Sequence, residues 1–168
     1  MFTLRGVPTV YYGDEQGFIS DGNDQLARED MFPSRVDFYN DNYLLGTDAT
    51  TADDNFDTAH PLYRLISELS RLRLSNPALK HGLTTIRGFD HEAPGLLAVE
   101  RVDPETHQRV LIAFNTSGES IIRNIEVDYR ARGLVSLSGT CPASVAAPGS
   151  ATLELPPFGW AVCELVDR

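Results

Sequence analysis

Two adjacent carboxylates, Asp14 and Glu15, follow the run Val7 to Tyr12 and are fenced by Gly13 and Gly17. Acid–base work by a carboxylate pair needs two carboxyl groups that converge on one reacting bond with their pKa values pushed apart. Neighbouring residues on an extended segment send their side chains to opposite sides. Asp14 and Glu15 therefore read as solvated turn acids, and no residue of the chain is assigned a catalytic role. Arg28 suits contact with a ligand better, because its planar five-donor head matches hydroxyls or a carboxylate. An ion pair with Glu29 or Asp30 inside its own loop is an equal alternative. Tyr11, Tyr12, Phe32, Phe38, Tyr39 and Tyr43 could supply stacking faces, with Tyr11 and Tyr12 expected on opposite faces of a strand. The acidic stretches 21–25 and 48–57 do not follow a calcium-loop spacing. His60, His81, His91 and His107 are scattered without a zinc spacing, and no phosphate loop is present. No metal and no cofactor is expected.

The elements that would position these groups fall into two parts. Val7 to Tyr12 is continuously apolar, as in a parallel strand covered on both faces, yet no second such strand with a crossover helix follows. Residues 13–57 are a long loop rich in Asp, Asn, Gly, Thr and Ser, in which Arg28 to Phe32 read as a short helical turn. A helix is expected over 59–75, where Leu62, Leu65, Ile66, Leu69 and Leu72 form one apolar stripe. Thr58 is the expected N-cap, Pro61 falls in the first turn, and Ser75-Asn76-Pro77 stops the helix. From residue 83 the period becomes two. Strands are expected near 83–89, 95–102, 108–115, 120–127, 133–138, 150–155 and 159–166, separated by turns such as Asp103-Pro104, Cys141-Pro142 and Pro156-Pro157. That spacing indicates an antiparallel sandwich or barrel. The division expected is 1–79 against 80–168.

The chain has 168 residues and a net charge of -10, which argues against nucleic acid or an anionic membrane as partner. No apolar run approaches the roughly 20 residues of a membrane span. The first residues lack a signal-peptide pattern, so a cytoplasmic location is expected. Cys141 and Cys163 could pair once, but without an export signal two buried thiols are favoured. Asn115-Thr116-Ser117 matches the glycosylation pattern, with nothing to support a context in which it matters.

"GVPTVYYGDEQGF" (6–18) resembles the segment that closes the catalytic (β/α)₈ barrel of α-amylase-type glycoside hydrolases, a Gly-x-Pro-x-x-x-Tyr-Gly-x-Glu pattern filled here by Gly6, Pro8, Tyr12, Gly13 and Glu15. "AREDMF" (27–32) looks like the loop that follows it, beside the sugar site. "HPLYRLISELSRLRLSNPAL" (60–79) is similar to the last barrel helix and its exit. "VLIAFNTS" (110–117) and "LPPFGWAVCEL" (155–165) look like an early and the final strand of the family's C-terminal sandwich. The resemblance implies a mainly β chain: a C-terminal antiparallel Greek-key β-sandwich preceded by a remnant of a (β/α)₈ barrel. It implies an α-glucan or oligosaccharide as substrate of the parent enzyme, with Asp14 and Arg28 contacting sugar and the Glu15 position tying the strand end to neighbouring loops. The family's reacting acids lie on earlier strands, so an isolated chain is expected to be inactive and to self-associate through the exposed barrel remnant. The rival expectation is a non-catalytic carbohydrate-binding module using Trp160, Phe158 and Phe114. Against it, Val110 to Phe114 and Trp160 to Val162 read as strand interiors, hence core.

Overall fold

The computed structural model describes residues 1–20, 22–139, 141 and 145–167. Asp21 of the acidic stretch 21–25 and Pro142 of the expected turn lie outside them. The chain packs as two units, residues 7–71 and residues 1–6 with 72–168.

Among the described residues the larger unit has seven strands: β1 Leu83–Phe89, β2 Leu96–Val102, β3 Arg109–Asn115, β4 Ile121–Glu126, β5 Gly133–Gly139, β6 Ser150–Leu155 and β7 Trp160–Val166. All pairings are antiparallel, in a five-stranded sheet ordered β1-β2-β3-β7-β5 and a two-stranded sheet of β4 and β6. Alternation decides the faces. Leu96, Leu111, Ala113 and Leu165 point inward against Ile121, Ile125, Leu153 and Leu155 of the smaller sheet. Val99, Val110, Ile112 and Val162 point outward. There they are covered by Ala78 and Leu79 of a short helix, Pro77–His81, together with Leu4 and Leu72. Burial on both faces explains why β3 reads as an unbroken apolar run.

Two arginines attach the first six residues to this unit. Arg73 donates to the carbonyls of Phe2 (2.8 Å), Leu4 (3.0 Å) and Gly6 (2.6 Å). Arg101, fully buried, donates to Gly82 O through Nε and Nη2 at 3.0 and 2.9 Å, and to Thr3 O at 3.4 Å. A buried guanidinium is tolerable only when carbonyls take its N–H groups.

Two expectations for this unit need correction. Cys141 and Cys163 form a disulfide, not two buried thiols. Cys141, two residues beyond the end of β5, lies 6.0 Å from Cys163 of the neighbouring strand β7, Cα to Cα, a separation a disulfide spans. Trp160 is not core: it is 38% exposed, and its neighbour Phe158 is 71% exposed. Phe158 occupies the β6–β7 turn at φ 52°, where its N–H donates to Ser117 O at 3.0 Å, and Trp160 is the first residue of its strand. Phe114 is half-buried on the outer face.

The smaller unit, residues 7–71, is mostly turns and loops, closed by the helix Pro61–Ser75 whose last four residues belong to the other unit. Residues 7–12 make no ladder, in contrast to the expected strand, because among the described residues of this unit no strand offers an edge to pair with. Long-range polar bonds hold the loops. Gln16 and Asp57 exchange two, Gln16 Nε2 to Asp57 O at 3.0 Å and Asp57 N to Gln16 Oε1 at 3.2 Å. Leu45 N donates to Gly17 O at 2.8 Å, and a Cβ on Gly17 (φ 73°) would lie 2.5 Å from Leu45 O, so this close approach requires glycine. The helix is capped by His60, whose Nδ1 accepts from Leu62 N at 3.1 Å, and not by Thr58. No residue of the helix is fully buried, and the apolar stripe is half-exposed.

Candidate functional site

The sharp turn at Asp14–Gln16 is one 3₁₀ turn entered through Gly13 and left through Gly17, both left-handed. Asp14 Oδ2 accepts from Tyr11 N at 2.9 Å, and Glu15 Oε2 accepts from Gly13 N at 3.1 Å. Each carboxylate thus serves its own turn, and the tie to a distant loop runs through Gln16 instead of Glu15. Folding the chain back this way also sets the rings of Tyr11 and Tyr12 side by side, centroids 4.5 Å apart, where a strand would have put them on opposite faces. The side-chain hydrogen bond that Tyr12 shares with Tyr11 holds the Tyr12 proton and raises the phenol above its ordinary value.

The loop that carries Arg28 begins with an Asx turn. Asn23 Oδ1 accepts from Gln25 N at 3.0 Å and Leu26 N at 3.2 Å. The turns run over 24–27, and Arg28 to Phe32 are not helical. One turn brings Arg28 back onto Asp24: Nε donates to Asp24 O at 3.1 Å and Nη2 to Asp24 Oδ2 at 3.3 Å. The pairing partner is therefore Asp24, not Glu29 or Asp30. Asp24–Arg28 has the i,i+4 spacing with the acid first, a signal the sequence carried. Both side chains of this pair are mostly exposed, at 62% and 82%, so the ion pair is weak and the guanidinium exchanges partners at little cost.

These two turns face one cleft of about 460 Å³. Asp14, Arg28, Asp24, Tyr11 and Tyr12 line it, and Glu29, itself buried, lies at its wall. The structure thus brings together the two residues singled out from sequence, Asp14 and Arg28. Of the other aromatics, Phe32 stacks on Phe56 (5.1 Å) and Phe38 on Tyr39 (4.4 Å), away from this lining. Stacked phenols, a guanidinium and carboxylates in an open cleft suit a ligand that has apolar faces and many hydroxyls.

The fold is that of a mainly β sandwich, and known proteins give it a lineage. It superposes on the debranching enzyme from Nostoc punctiforme with a TM-score of 0.61 at 20% identity, covering 96% of this chain and 28% of that one. In sequence the chain is 48% identical over 118 residues to the alpha-amylase of Streptomyces lividans, 70% of this chain and 13% of that protein. It is 31% identical over 134 residues to the cyclomaltodextrin glucanotransferase of Paenibacillus macerans, 80% of this chain and 14% of that protein. No family model matches. The chain is a counterpart of one portion of an α-amylase-family protein.

Proposed function

We propose that this chain is the sandwich and sugar-site-loop portion of an α-amylase-type hydrolase or transglycosylase acting on α-glucans. In this reading Asp14 and Arg28 contact the saccharide, and the reacting carboxylates come from chain beyond this sequence. The observation that carries it is the shared cleft, in which the turns at 14–16 and 24–27 present Asp14 and Arg28 beside the paired tyrosines. Relatives named for α-glucan chemistry support the substrate class. Exposed Val7, Phe32 and Tyr43 support self-association of the chain on its own. The Cys141–Cys163 pair supports an oxidising compartment over a cytoplasmic one.

Exposure of Phe158 and Trp160 favours a second reading, a carbohydrate-binding module acting through the sandwich. Titration of the chain with maltoheptaose separates the two. The cleft reading expects calorimetric binding that weakens at least about tenfold in Arg28→Ala, an effect of about 1.4 kcal/mol. Emission of Trp160, the single tryptophan, stays unchanged. A saturable shift in tryptophan emission with unaltered affinity in Arg28→Ala would establish the module instead.

A further inference from the structure

A second cleft, of about 430 Å³, lies at the turn joining β1 to β2, beside β4. Phe89 is 59% exposed at the end of β1, its ring edge-on to the imidazole of His91 with centroids 6.0 Å apart. Asp90 and Arg123 stand across from one another in the same lining, bonded Nη2 to Oδ2 at 3.3 Å, and Glu92 completes the polar edge.

The turn is built to hold these groups still. Asp90 Oδ2 also accepts from Leu96 N at 3.0 Å, and Asp90 N donates to Leu96 O at 2.8 Å. A Cβ on Gly95 would lie 2.1 Å from Asp90 Oδ2, so the carboxylate folds inward only because residue 95 has no side chain. Gly95 is fastened in turn to Thr116, N to Oγ1 at 2.9 Å and Thr116 N to Gly95 O at 2.8 Å. The Leu96 amide, with Arg123 adding to it, holds the Asp90 carboxyl below its ordinary range, so it presents acceptor oxygens at neutral pH.

We propose that this cleft on the sandwich is a second saccharide-holding site, in which Phe89 stacks on a pyranose face and Arg123, His91 and the two carboxylates bond its hydroxyls. Two carboxylates against one guanidinium disfavour an anion, and the whole chain is strongly acidic. An exposed ring ringed by donors and acceptors fits a neutral ligand with one apolar face and hydroxyl edges, because stacking and planar hydrogen bonding are then satisfied together. The ligand class, α-glucan, rests on the function proposed above.

Electrophoresis of the full chain through gels containing amylopectin tests the site. The wild type, Phe89→Ala, Arg123→Met and Arg28→Ala are compared, with circular dichroism to check the fold. Phe89 is a surface residue, so its truncation leaves no core void. Retardation is expected to weaken at least about threefold in Phe89→Ala and Arg123→Met, and in Arg28→Ala to weaken without being lost, because the sandwich site still holds the glucan. Wild-type retardation in both Phe89→Ala and Arg123→Met overturns the site. If Arg28→Ala alone escapes retardation, the proposed function stands without it. If the Phe89 variant escapes and Arg28→Ala behaves as wild type, this site stands and the cleft at Arg28 falls. A wild-type chain that is not retarded refutes this site.

Discussion

Replacing Asn115 by Ala should unfasten the corner where β3 leaves the sandwich. Asn115 is buried, and its Nδ2 donates to Glu119 O at 2.7 Å and Pro156 O at 2.8 Å, with a longer contact to Leu155 O at 3.5 Å. Its Oδ1 accepts from Ser117 N at 3.0 Å and Ser117 Oγ at 2.7 Å. One amide thus joins the β3–β4 turn to the end of β6, and the asparagine of the glycosylation-like triplet is internal. Four good bonds at roughly 1 kcal/mol each would give about 4 kcal/mol. Glu119 and Pro156 are exposed and Ser117 half-exposed, so water recovers part of this, and the expected loss is about 2–3 kcal/mol. That is a large fraction of the roughly 5–15 kcal/mol that holds a domain. Urea unfolding followed by Trp160 emission reports on this unit, since Trp160 begins β7. A loss under about 1 kcal/mol at unchanged slope would refute the corner's role.

Three further outcomes are expected. Hydrogen bonds from the Arg130 side chain and backbone, with Arg109 adding its charge, hold the Asp128 carboxyl well below the usual carboxylate range. A depressed folded-state value stabilises above the unfolded pKa of roughly 4 and ceases to as pH falls through the folded value. Thermal midpoints should therefore drop below about pH 4 in the wild type and drop less steeply in Asp128→Asn; equal slopes would contradict this. Reduction of Cys141–Cys163, a link across 22 residues, should cost the sandwich about 3 kcal/mol by loop entropy, read by denaturation with and without dithiothreitol. Pure chain incubated with maltoheptaose should release no reducing sugar, and turnover abolished by Asp14→Asn or Glu15→Gln would contradict the assignment.

The sandwich was legible because its information is local. Each of the seven strands appears within a residue or two of its expected range, since alternation and turn residues between Leu83 and Val166 are set by near neighbours. The helix was legible for the same reason: its stripe and Pro61 lie within one element. Val7 to Tyr12 were not, because a strand exists only with an edge to pair, and the apolar run says nothing of whether one is there. The turn at Tyr11 to Gln16 then reorders everything that assumed a strand, pairing the tyrosine rings and shifting the loop tie from Glu15 to Gln16. The cysteine pair escaped because adjacency of β5 and β7 is a property of sheet order, which spacing along the chain does not encode. Phe158 and Trp160 are apolar in pattern yet sit at a turn and a strand end, where pattern and burial part company.

In the function proposed for the chain, the turn at Asp14 and the loop at Arg28 hold a glucan between them. Amide spectra of the ¹⁵N-labelled chain titrated with maltoheptaose test it most directly. Saturable shifts are expected at Tyr11 to Ser20 and Asp24 to Glu29, abolished at those residues in Arg28→Ala. Shifts that leave those residues untouched while saturating elsewhere would contradict it.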